Sequence, residues 1–126
     1  MRTVLLGVAT FSLLPAAPLP AQEAPLDTAL VRATTARLRS DLRNFLTAQE
    51  RHFADHGTYA GSAAALRTYF RPSSGVTLVL LTASDTAHSE IAIDERVPDL
   101  VCAMYVGNAP PPMGRGDEGE VVCRGP

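Results

Sequence analysis

The chain has 126 residues, 46% hydrophobic and 19% charged, with eleven basic residues against thirteen acidic ones and a net charge of −2. Every basic residue is an arginine. So slight an acidic balance gives no electrostatic reason to bind nucleic acid or an anionic membrane surface. The length suits one hydrophobic core, near the lower size at which a covalent staple helps.

The N-terminus begins Met1-Arg2-Thr3 and continues as an apolar run from Val4 to Leu14, stopped by Pro15, Pro18 and Pro20. A charge, a short apolar run and a small residue at Ala21 occur in the order of an export signal. The run is shorter than the roughly 20 apolar residues that span a bilayer. Cleavage is expected between Ala21 and Gln22. Three other leaders do not fit. A lipoprotein needs a Cys at the cut, and both cysteines lie far downstream. A twin-arginine signal needs a second arginine beside Arg2. A prepilin cut after Gly7 would put Ser12 where that leader has a Glu, and Pro15 would break the helix that must follow. Residues 1–21 are therefore expected to be a signal peptide and 22–126 one α+β domain, with no membrane span after cleavage. Losing Arg2 leaves ten arginines against the thirteen acidic residues, a net charge of −3.

Asp27 or Thr28 can cap a helix, and no Gly or Pro interrupts the chain from Leu26 to His56. Apolar residues recur at Leu30, Val31, Leu38, Leu42, Phe45, Leu46 and Phe53, with Ala48 on the same side. Leu38, Leu42, Phe45 and Ala48 step by three and four, which predicts one buried stripe. Arg32, Arg37, Arg39, Asp41, Arg43, Glu50 and Arg51 fall mostly off it. The helix can reach about seven turns, closed by Gly57.

Thr58-Tyr59-Ala60-Gly61 reads as a turn. Ser62 caps a short helix through Ala63, Leu66, Tyr69 and Phe70, ended by Arg71-Pro72. Val76–Thr82 is rich in strand formers. After a connection at 83–86, Ser89, Ile91 and Ile93 alternate with His88, Glu90, Ala92 and Asp94, a period of two with one buried face. Residues 95–99, with Pro98, are expected to turn. Leu100–Val106 is a third strand, Ala109–Gly119 a Pro- and Gly-rich loop, and Glu120–Cys123 a short last strand. Helices followed by strands define an α+β order: a long helix on an antiparallel sheet of three to four strands.

Cys102 and Cys123 are the only cysteines. In an oxidising compartment a structural disulfide is expected, worth about 3 kcal/mol for a loop of this length. The alternatives are a redox pair, which usually has the C-x-x-C spacing, or metal ligands, for which two cysteines do not suffice.

The order of long helix, Thr47-Ala48-Gln49-Glu50 leading to Phe53, Gly57-Thr58-Tyr59, then strands with Thr86-Ala87-His88-Ser89, and a closing Cys102-to-Cys123 segment resembles the globular head of type IV pilins and type II secretion pseudopilins. The resemblance covers about Leu38 to Cys123. It implies a pilin-like fold in which the disulfide bounds a C-terminal loop. The family's continuous apolar N-terminal helix is not matched, because an export signal stands in its place. No assembly residue is therefore carried over.

Among groups that could carry chemistry, His52 and His56 share a helix face with Asp55 nearby, a spacing that can ligate metal. Phe53 follows His52 where a metalloprotease helix has Glu, and polar residues at a helix end are the plainer account. Ser73, Ser74 and His88 invite a triad, but no G-x-S-x-G is present. Arg115-Gly116-Asp117 spells an integrin-type tripeptide, read as coincidence. Asp117, Glu118 and Glu120 offer calcium ligands without the spacing of a dedicated loop. Tyr59, Tyr69, Phe70 and Tyr105 can form an aromatic patch or simply pack. Pro110-Pro111-Pro112 is a stiff segment, for recognition or for loop shape. No catalytic residue, metal ligand or cofactor is assigned. The expectation is an exported, periplasmic or extracellular, non-enzymatic module with protein partners in the cell envelope. The alternatives are an accessory or subunit of a type IV pilus or type II secretion system, and a small periplasmic metal-binding protein or enzyme using His52, His56 or His88.

Overall fold

A computed structural model describes Gly7, residues 12–19 and residues 27–126. The expected signal cleavage at Ala21 and Gln22 lies outside the described residues.

The first element is α1, Thr28–His56, 29 residues and about 43 Å long. Asp27 caps it by accepting from the Ala29 N–H at 3.0 Å. Gly57, at φ 75°, closes it by donating to the Phe53 carbonyl at 2.7 Å. The stripe Leu38, Leu42, Phe45 and Ala48 is fully buried, while Leu30 and Phe53 stay more than a third exposed. Asp41 lies on the buried side, not off it. It is taken inside because Ser73 satisfies it: Asp41 Oδ2 accepts the Ser73 N–H at 2.8 Å and Oδ1 its hydroxyl at 2.9 Å.

Beyond α1 the chain doubles back through a clasp. The buried Gln49 side chain accepts from Ala60 N–H at 2.7 Å and donates to Ala60 O at 3.2 Å. The short helix is a 3-10 segment, Ala63–Leu66, capped by Ser62. Four strands follow: β1 Val76–Ala83, β2 His88–Asp94, β3 Val97–Val106 and β4 Val122–Arg124. They form one antiparallel sheet in the order β1-β2-β3-β4, so each strand pairs with its chain neighbour. This is one long helix packed on a four-stranded antiparallel sheet, an α+β arrangement.

Several elements differ from the sequence expectation: the short helix stops at Leu66 instead of running through Phe70, and the last strand is Val122–Arg124 instead of Glu120–Cys123. The turn before β3 is tight and the strand starts at Val97, not Leu100. Asp94 makes that possible, because its Oδ1 accepts the Arg96 N–H at 3.0 Å and bends the chain at once. Pro98 is tolerated because β4 pairs β3 only at Val101–Ala103, leaving Pro98 free of that ladder. The buried face of β2 is the one bearing His88, Glu90, Ala92 and Asp94; Ile91 and Ile93 are half-buried on the other.

The core joins the α1 stripe to Val76 and Leu78 of β1, Ala92 of β2, and Leu100, Cys102 and Met104 of β3. Cys102 and Cys123 face each other across β3 and β4 and form a disulfide. None of the described helices is long and apolar enough to cross a membrane.

Candidate functional site

The strand period places His88 and Glu90 on the same face of β2, under α1. Their register neighbours are Val106 and Met104 on β3, and Ala83 and Leu80 on β1. His88 Nδ1 and Glu90 Oε2 stand 2.8 Å apart, and both side chains have no solvent exposure. The Tyr59 ring meets the imidazole edge-on, centroids 4.6 Å apart, and is backed by Phe53 at 4.9 Å. Tyr59 is held there by its own N–H, which donates to Ser84 O at 3.2 Å.

Burial pushes the Glu90 carboxyl above its usual range, with the His88 hydrogen bond pulling the other way. Burial also raises the Tyr59 hydroxyl, helped by the charges of Glu50 and Glu118. His88 Nε2 and Glu90 Oε1 have no hydrogen-bond partner among the described residues. When the pair is net neutral, Nε2 carries a proton whichever of the two groups holds the shared one. The pair then buries an unmet donor and an unmet acceptor together, each costing about 1–3 kcal/mol. With no exposed atom, this dyad cannot reach a solute in the present conformation.

Farther along the same face, Asp94 is buried beneath two arginines. Arg96 donates to both its oxygens at 2.8 Å, and Arg37 of α1 stands 3.6 Å away. The Arg96 hydrogen bonds hold the Asp94 carboxyl below its ordinary range. A further Arg96 bond, to Ser74 O at 2.6 Å, ties β1's entry to this corner.

The other candidates are dispersed. Ser73 is bound to Asp41 and His88 to Glu90, so no serine–histidine pair forms among the described residues. Asp55 accepts the Tyr69 hydroxyl at 2.5 Å, which raises that phenol and engages the carboxylate. Phe70 packs edge-on to Phe45 in the core, and Tyr105 bonds Gly116 O at 3.2 Å on the opposite sheet face. The aromatics therefore form no common patch. Glu118 accepts from Gly107 N–H at 2.7 Å and Glu120 from Asp117 N–H at 2.8 Å, so two of the three loop acids are spent on the loop itself. Arg115 donates to Cys123 O at 3.1 Å. No cluster of three or more metal-ligating side chains occurs among the described residues.

Sequence reasoning passed over Glu90, Asp94 and Gln49. The period-two pattern already put Glu90 and Asp94 beside His88, but hydropathy favours the isoleucine side of β2. Two concavities flank α1. A cavity of about 130 Å³ is lined by Phe45, Phe70, Pro72 and Leu78 among others, and a polar groove of about 370 Å³ is bordered by Asn44, Arg51 and Arg71. No family model and no curated protein matches the chain.

Proposed function

We propose that this chain is an exported, non-enzymatic interaction module, built like a pilin head, that presents its disulfide-bounded C-terminal loop to protein partners in the cell envelope. The construction of that loop supports the reading. Between β3 and β4 the main chain is pinned by Gly119 N–H to Tyr105 O at 2.8 Å, Gly114 N–H to Pro111 O at 2.9 Å, and Arg39 of α1 to Val121 O at 3.3 Å. The disulfide holds its base. Arg115, Asp117, Glu118 and Glu120 are left exposed on a fixed frame. A pre-ordered loop loses little entropy on binding, the property a recognition surface needs. The dyad under α1 fits the same reading as an interior polar contact, since it is closed to substrates.

Affinity capture with the immobilised domain from solubilised envelope, run beside a variant whose 109–119 segment is replaced by Gly-Ser repeats, tests the proposal. A protein retained by the wild type and released by the variant is the expected result. Capture of nothing, or equal capture by both, overturns the assignment of the loop as the binding surface.

A further inference from the structure

His52 and His56 stand one turn apart at the end of α1, half-buried and exposed respectively. Each ring uses the same nitrogen for a main-chain carbonyl: His52 Nδ1 lies 2.8 Å from Thr58 O, and His56 Nδ1 lies 3.0 Å from His52 O. A carbonyl oxygen only accepts, so Nδ1 carries the proton in both rings. In the neutral imidazoles the lone pair is then on Nε2. An N–H given to a main-chain carbonyl, with the other nitrogen bare, is the state in which imidazole binds metal. The two rings are stacked, centroids 4.1 Å apart and 19° from parallel. Metal–nitrogen bonds are about 2.0–2.1 Å. In the stack the two lone pairs run nearly parallel, so one ion is shared only when the rings turn out of it about their side-chain torsions, a motion open to the i, i+4 pair on the exposed last turn.

The neighbours define what the site lacks. Asp55 is engaged by the Tyr69 hydroxyl, and His88 is sealed against Glu90. The protein thus offers two imidazoles and leaves the remaining positions to water. Two adjacent nitrogens with open positions suit the tetragonal geometry of Cu(II) or Ni(II), and the stability order favours copper. Among the described residues no group of three or more ligating side chains forms, so a hard cation that needs many oxygen ligands is poorly served here.

We infer that His52 and His56 form a surface bis-imidazole site for a divalent transition-metal ion, Cu(II) above Ni(II) and Zn(II), with the other coordination positions open. The site is independent of the C-terminal loop. Imidazolium has no lone pair to give, so binding weakens as pH falls.

The test is calorimetric titration of the purified chain with Cu(II), beside His52→Ala, His56→Ala and the double variant, with circular dichroism to show that each is folded. Electron paramagnetic resonance of the copper-loaded chain counts nitrogen ligands. The expected result is one Cu(II) per chain, two imidazole nitrogens in the spectrum, and at least about a tenfold loss of affinity in each single variant. Copper binding that persists unchanged in the folded double variant, as a terminal amine would give, overturns the inference. So does equal binding of Ca(II) at the same site.

Discussion

Glu90 and Asp94 lie on the same face of β2, four residues apart, and the fold moves their carboxyls in opposite directions. Burial favours the protonated form of Glu90, so its contribution to stability is full below the ordinary carboxyl range and is lost as pH rises through the raised value. Asp94 is depressed by Arg96, so its contribution is present above the ordinary range and is lost as pH falls through the lowered value. Two substitutions separate these effects. His88→Ala leaves Glu90 buried without its partner, and is expected to cost about 3 kcal/mol at pH 7. Near pH 4 the carboxyl is largely neutral in both states and mainly the cavity cost remains, so the loss shrinks. Asp94→Asn has the opposite profile: a loss of about 1–2 kcal/mol at pH 7 from weakened charge-assisted bonds, vanishing in strong acid. Urea unfolding at several pH values checks both. A loss independent of pH in either variant shows that the charge is not what the partner stabilises.

At the scale of elements, loops and caps divide into those with room and those without. Gly57 and Gly107 both have positive φ, 75° and 71°. A Cβ at Gly57 meets nothing, whereas one at Gly107 would fall 2.2 Å from Thr86 O. Gly57→Ala is expected to cost about 1–2 kcal/mol, the left-handed penalty alone, and Gly107→Ala measurably more, because the strand connection at 84–87 must move. Denaturant midpoints of the two variants give the comparison. The sequence made α1 legible because nothing between Leu26 and His56 breaks a helix and four apolar residues keep one stripe. It did not show which face of β2 is inside. That choice is made by α1, which covers the face β2 shares with Met104 and Cys102 of β3, and a local pattern does not contain it. The turn after β2 was expected, but its tightness and the start of β3 at Val97 were hidden for a related reason: Pro98 signals a longer break, and Asp94's capping of Arg96 is a contact between side chain and main chain. The buried Asp41 was illegible because its partner, Ser73, is 32 residues away.

For the molecule as a whole, the disulfide is the longest covalent constraint, joining residues 21 apart. Reduction, or Cys102→Ser with Cys123→Ser, is expected to lower stability by about 3 kcal/mol and the melting temperature by about 10–20 °C for a domain of this size. The damage is also expected to be local. β4 is three residues long and pairs only with β3, while α1, β1, β2 and most of β3 share the core. Hydrogen exchange on the reduced protein is expected to show amides of residues 107–124 losing protection first, with β2 and the middle of α1 last. Uniform loss of protection would mean that the staple supports the core as well as the loop.

The chain-neighbour order of the strands also bears on how fast the fold is reached. Each strand has only to find the strand just before it, so the loops closed in forming β1-β2-β3 are short and their entropy cost small, and only the connection to β4, residues 107–121, is long. The four-residue link before β2 and the two-residue link before β3 let the hairpins zip in sequence onto a helix that can form early by itself. The slowest covalent event, oxidation of Cys102 and Cys123, then acts on a pair already brought opposite each other. Folding rate is thereby uncoupled from redox chemistry: the oxidant sets how long the structure lasts, and the chain's own topology sets how quickly it arrives.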